Sequence, residues 1–76
     1  MKKINLSDSF YLATKDDPKL RAVFVDMGFK PMANDKTYLT VGRVVTLKAA
    51  LANINKSVEA ANKFLEENNM EVVLYE

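Results

Sequence analysis

Thr40, Arg43, Thr46 and Lys48 form the one arrangement in this sequence with residue types and spacing suited to holding a small charged ligand. A helix starting after Thr46 would present free N–H groups at the positive end of its dipole. Arg43 on the lead-in and Lys48 in the first turn would complete a pocket for phosphate or carboxylate, with Lys30 reaching it across the preceding loop. The plainer reading has Thr46 capping its helix, Arg43 packing or pairing with a nearby acid, and Gly42 serving a tight bend.

Phe29, Pro31, Met32 and Tyr38, with Leu39, make a second candidate, an apolar and partly aromatic stretch of loop. Exposed together they would dock a partner protein or a second copy of the chain, because methionine and aromatic side chains adapt well to contact surfaces. Alternatively they cover the open end of a small core. That role suits Phe29 and Leu39 best, whereas Pro31, Met32 and Tyr38 fit either.

Chemistry beyond binding has little to work with. The 76 residues include neither cysteine nor histidine, so no thiolate or imidazole exists to act as nucleophile, base or metal ligand. Asp16-Asp17 and Glu66-Glu67 are adjacent pairs whose side chains diverge on a helix, unlike the facing carboxylates of acid–base or calcium sites. Asp17 reads as a cap and Glu66-Glu67 as a solvated face. No catalytic residue, metal site or cofactor is expected.

Eleven basic and ten acidic residues leave a net charge of +1, too little for the counterion release behind most nucleic-acid binding. Thr46 to Asn68 does read as helix, short turn, helix. Yet its second helix carries Glu59, Glu66 and Glu67 against Lys63, which repels phosphate. No apolar run has the length of a membrane span, and Asn5, Ser7 and Asp8 interrupt any signal sequence after Met1-Lys2-Lys3. The expectation is a cytoplasmic protein that binds neither nucleic acid nor membrane.

Periodicity supplies the elements that would position these residues. Ile4-Asn5-Leu6 alternates as a strand does, and Ser7 would cap a short helix over Asp8 to Lys15. Asp17-Pro18 opens a stronger helix, in which Leu20, Val23, Phe24 and Met27 fall at i, i+3, i+4 and i+7. Gly28 then supplies a C-cap, with Phe29 folding back on the last turn. A loop follows through Met32 to Asp35. Tyr38 to Val45 is rich in β-branched residues, which suits a strand, while Gly42 and the neighbouring helices suit a short helix or irregular turn. Leu47, Ala50, Leu51 and Ile54 repeat the helical stripe after Thr46. Ser57 caps a last helix facing inward through Val58, Ala61, Phe64 and Leu65 and ending at Asn68-Asn69. Glu71 to Tyr75 closes as a short strand, with Ile4-Asn5-Leu6 its obvious partner.

The motifs Met27-Gly28-Phe29-Lys30-Pro31-Met32-Ala33-Asn34 and Thr40-Val41-Gly42-Arg43-Val44-Val45-Thr46-Leu47, with the opening Ile4-Asn5-Leu6-Ser7, Asp17-Pro18 and the closing Glu71-Val72-Val73, resemble a bacterial family of small helical domains of unknown function. Such domains stand alone or precede hemerythrin-like and PAS-type domains. They look related to the N-terminal domain of di-iron proteins that repair iron–sulfur clusters. One branch, the redox disulfide domain associated with hybrid-cluster proteins, carries two cysteines just after the glycine matching Gly28. Lys30 to Ala33 occupy that stretch here, so no dithiol role carries over. The resemblance implies an all-helical module that assists another protein.

Residues 1–76 are therefore expected to form a single all-α domain of four or five short helices, with a minor β pairing of the two ends. Its expected role is that of a non-catalytic accessory module acting through the Gly28 to Thr46 face, on a protein partner or by self-association, in a redox or iron-handling setting. The alternatives are a small-anion binder at the Arg43, Thr46 and Lys48 corner and a helix-turn-helix nucleic-acid binder.

Overall fold

The computed structural model describes all residues, Met1 to Glu76. In chain order it contains β1 (Lys2–Asn5), α1 (Phe10–Thr14), α2 (Pro18–Met27), a 3-10 turn (Lys30–Ala33), α3 (Asp35–Val44), α4 (Leu47–Asn53), α5 (Val58–Glu67) and β2 (Val72–Tyr75). The protein is mostly helical, with its two ends paired as a small sheet.

Each helix begins where a short polar side chain satisfies an otherwise orphaned amide. Ser9, Asp17, Asn34, Thr46 and Ser57 accept from the amides of Leu12, Leu20, Thr37, Ala49 and Ala60. Two of these starts differ from the sequence reading. Helix α1 is capped by Ser9 and not Ser7, because Ser7 turns back onto Asn5, whose side-chain oxygen accepts from both its amide and its hydroxyl. The second difference is α3, a full helix from Asp35, where the sequence left strand, short helix and irregular turn open for Tyr38 to Val45. Asn34 starts it, and Tyr38 and Gly42, one turn apart, are its buried residues.

The sheet is parallel, in the register Lys2 with Val72 through Asn5 with Tyr75. A parallel pair cannot be closed by a hairpin, and here every helix lies in the connection. Ile4, Val72 and Leu74 are buried in the core. The Asn62 side chain of α5 brackets Leu74, accepting from its amide at 2.8 Å and donating to its carbonyl at 3.2 Å, so the outer edge of β2 is partly satisfied.

The N-terminal segment is further tied by the start of α4. Its amides of Leu47 and Lys48 donate to the carbonyls of Asp8 and Leu6, and the amide of Phe10 donates to the carbonyl of Val45.

The interior is one cluster. The expected stripe of α2, Leu20, Val23, Phe24 and Met27, is buried throughout. Phe10 is fully enclosed and meets Phe24, Phe29 and Tyr38 at ring-centroid distances of 5.5, 5.4 and 6.1 Å, the tilted and edge-on geometry that aromatic rings prefer. Gly28 makes the corner that folds Phe29 in. Its φ of +149° disfavours other residues, and its amide donates to the carbonyls of Phe24 and Val25.

Candidate functional site

The cationic corner expected around Thr46 does not assemble as a site. The first three amides of α4 already have partners: Leu47 and Lys48 bond the β1–α1 loop, and Ala49 bonds the Thr46 hydroxyl at 3.1 Å. No N–H group is left there for an anion. Arg43 lies with its guanidinium 4.6 Å from the centroid of the Tyr11 ring, a cation–π contact on the opposite side of α3 from Val41. Lys48 pairs with Glu76, and the Thr40 hydroxyl donates to the Lys36 carbonyl at 2.7 Å within its own helix. Lys30 is exposed and lies elsewhere, at the start of the 3-10 turn.

The apolar candidates divide. Phe29, Met32 and Tyr38 are core residues, so their side chains do not form an exposed patch; Pro31 is exposed. The reason is the helical path of residues 35–44, which turns Tyr38 inward against Phe10 and Tyr11. Leu39, expected inside, faces solvent because it lies 100° around the helix from Tyr38.

One arginine that the sequence did not single out organises this region. Arg21 donates from Nε and Nη2 to the Met32 carbonyl at 3.0 and 2.9 Å, and from Nη2 to Asp35 at 3.0 Å. Its guanidinium also stacks 3.8 Å from the Tyr38 ring centroid. One planar fork thus fixes the 3-10 turn and the start of α3 against α2. The only sequence signal was its place on α2, just off the apolar stripe. Beneath it the Tyr38 hydroxyl meets that of buried Thr14 at 2.8 Å. Thr14 donates to the Phe10 carbonyl at 2.9 Å, which makes Tyr38 the donor between the two hydroxyls.

What this arrangement leaves open is an apolar cleft of about 330 Å³. Its floor is the Gly28-Phe29 corner with Pro31 and Met32. One wall is α3 and its exit, through Thr37, Val41 and Val45. The other is the end of α4, through Ala50, Asn53 and Ile54. Thr37 and Asn53 supply the only polar side chains in the lining, and no charged residue belongs to it. Thr37, Val41 and Val44 follow one another at helical spacing on this side of α3. Val41 is 48% exposed, and Val44, beside the cleft, is 81% exposed.

Elsewhere the surface offers less. No group of three or more acidic side chains gathers in metal-binding geometry. No helix is long and apolar enough to cross a membrane. The second helix of the helix-turn-helix-like segment, α5, uses Asn62 to hold β2 and exposes Glu59, Glu66 and Glu67 around Lys63, a face that repels a phosphate backbone.

No family model and no curated protein matches the sequence. Among solved structures, the conserved domain protein from Streptococcus pneumoniae TIGR4 is similar along nearly its whole length, with 30% sequence identity, a TM-score of 0.81, and coverage of 96% of this chain and 92% of that one. At that identity and coverage the likeness reaches beyond shared architecture, and the chain belongs to the family of this pneumococcal conserved domain protein.

Proposed function

We propose that this protein is a non-catalytic interaction module whose cleft between α3 and α4 receives an apolar segment of a partner protein. The observation that carries the reading is the cleft's lining: almost wholly apolar, open to solvent, and flanked by the exposed Val44. Single exposed apolar residues are ordinary on protein surfaces, whereas an apolar cleft with further apolar side chains beside it is characteristic of contact sites. Burying a fully exposed valine contributes about 1.5–3 kcal/mol, and Val44 is close to fully exposed. Burial there is favourable on association.

A small polar ligand fits this lining poorly. The volume lies at the lower end of the roughly 300–1,000 Å³ typical of small-molecule sites. Such sites need several converging polar groups to orient their occupant, and Thr37 and Asn53 alone are few. The anion reading lacks the free amides it requires.

The resemblance noted from the motifs supports a partner drawn from a redox or iron-handling system. With no thiol or imidazole in this chain, electron or iron chemistry in such a complex belongs to the partner.

A photo-crosslinking residue placed at Val44, and in a control protein at Glu66 on α5, tests the proposal in living cells. The expected result is a discrete protein adduct from position 44 and none from position 66. Equal labelling from both positions, or none from either, contradicts it.

A further inference from the structure

The two outer edges of the terminal sheet differ. On β2, Asn62 closes the edge by bonding both the amide and the carbonyl of Leu74. On β1 no side chain does the same. The amides of Lys2 and Leu6 donate to the carbonyls of Glu71 and Tyr75, and the backbone groups of successive residues along a strand point alternately to its two sides. Lys2, Ile4 and Leu6 therefore face β2, whereas Lys3 and Asn5 face away from it. The Asn5 carbonyl accepts from the Asp8 amide at 3.0 Å. The Lys3 amide, the Lys3 carbonyl and the Asn5 amide have no strand beside them and no other partner in the chain. Unpaired groups of this kind along a strand edge are a template for an added strand.

The side chains on this strand set the chemistry of the occupant. Lys2 and Lys3 are exposed, and neither belongs to the molecule's two ion pairs, Arg21–Asp35 and Lys48–Glu76. Successive side chains leave opposite faces of a strand, so each face of the open edge carries one cation. β1 holds no acidic residue, and Glu71 and Glu76 flank β2, across β1 from the open edge. We propose that β1 is extended by an acidic strand from a different protein, with adjacent carboxylates that fall on the two faces beside Lys2 and Lys3. Backbone bonds to Lys3 and Asn5 supply the attachment, and the charges supply the choice of partner. A second copy of this chain is a poor occupant. Antiparallel pairing of two β1 strands brings the lysines of both onto one short ladder, where like charges repel, and β2 offers no edge because Asn62 closes it. The site is separate from the cleft, to which β1 contributes no lining residue.

Selection of peptides from a randomised display library against the intact protein tests the inference, with the Lys3→Pro variant as counter-selection. That change removes the outward amide while leaving the bonds to β2 in place, a position where an edge strand accepts proline. The expected winners carry adjacent Asp or Glu within a β-branched stretch. Their affinity falls about tenfold against Lys3→Pro and against a Lys2→Glu/Lys3→Glu double variant, and holds against Val41→Asp. In their complexes, exchange of the Lys3 and Asn5 amides with solvent slows by about tenfold or more. An unchanged melting curve confirms that each variant folds; should Lys3→Pro not fold, the double variant and the exchange rates decide alone. Winners that show no acidic bias, that bind the double variant equally well, or that leave the Lys3 amide exchanging freely overturn the proposal. Winners lost on Val41→Asp occupy the cleft, which overturns this site and leaves the interaction reading standing. Absence of any enrichment over the Lys3→Pro background overturns it too, and a self-associated species in sedimentation that Lys3→Pro dissolves makes a second copy the occupant and does the same.

Discussion

The two sides of α3 behave as different materials. On one, Tyr38 and Gly42 are buried against α1 and the 3-10 turn, with Tyr38 held by rings, a hydroxyl and the Arg21 guanidinium. On the other, Val41 and Val44 face solvent beside an apolar cleft. Within one ten-residue helix, the first side fixes the fold and the second adds little to it. That contrast is what an interaction module needs, because a binding surface free of structural duty can be covered without disturbing the core.

Substitutions sharpen or break the contrast by the size of their effects. Phe10→Ala, on the buried side, removes a fully enclosed ring that touches three others, and should cost about 3–5 kcal/mol in chemical denaturation. A loss under about 1 kcal/mol would mean that the aromatic cluster is not the structural side, since truncations in a tight core cost several times that.

Gly28→Ala comes next. The backbone there has φ of +149°, and an added Cβ would stand 3.2 Å from the Ile54 side chain. The expected loss is about 1–3 kcal/mol, read as a lowered melting temperature. Because Ile54 also lines the cleft, this variant should disturb the cleft amides in NMR spectra more than those of β1 and β2.

Tyr38→Phe removes the donor to Thr14 while the Thr14–Phe10 bond remains. A loss of about 1 kcal/mol is expected from the denaturation midpoint. No change would show that the hydroxyl pair is dispensable.

The smallest effect has the opposite sign. A Cβ at Gly42 would find Met32 Sδ at 3.4 Å and Tyr38 Cδ1 at 3.5 Å, ordinary contact distances. Gly42→Ala should therefore stabilise by about 0.5–1 kcal/mol through helix propensity and a less free unfolded chain. Destabilisation would show that α3 must pack closer than these distances imply.

The parts legible from sequence were those with a strong local code. The stripe of α2, the caps Asp17, Thr46 and Ser57, the corner at Gly28 and the pairing of the chain ends all follow from residue type and spacing. Residues 35–44 were ambiguous because Thr37, Thr40, Val41 and Val44 favour a pleated surface in isolation. Packing of Tyr38 and Gly42, with Asn34 as cap, outweighs that preference. The signal was present in the spacing of Tyr38, Gly42 and Val45 at i, i+4 and i+7.

The stretch from Gly28 to Thr46, expected to be the acting face, does border the cleft. The sequence could not show which side chains turn outward: Val41 and Val44 define the open side, while Phe29, Met32 and Tyr38 go in. Arg43 and Lys48 looked like a ligand pocket, since their partners Tyr11 and Glu76 are distant along the chain.

The most direct test of the division within α3 is to add Val41→Asp to the protein carrying the crosslinker at position 44. Adduct yield and melting temperature are then measured on the same variant. Loss of the adduct with a melting temperature within a few degrees of the parent is the expected result, a shift that matches about 1 kcal/mol or less for a domain this small. An adduct that persists at full yield, or a protein that no longer folds, would contradict the claim that this side of the helix binds a partner and leaves the fold to the other.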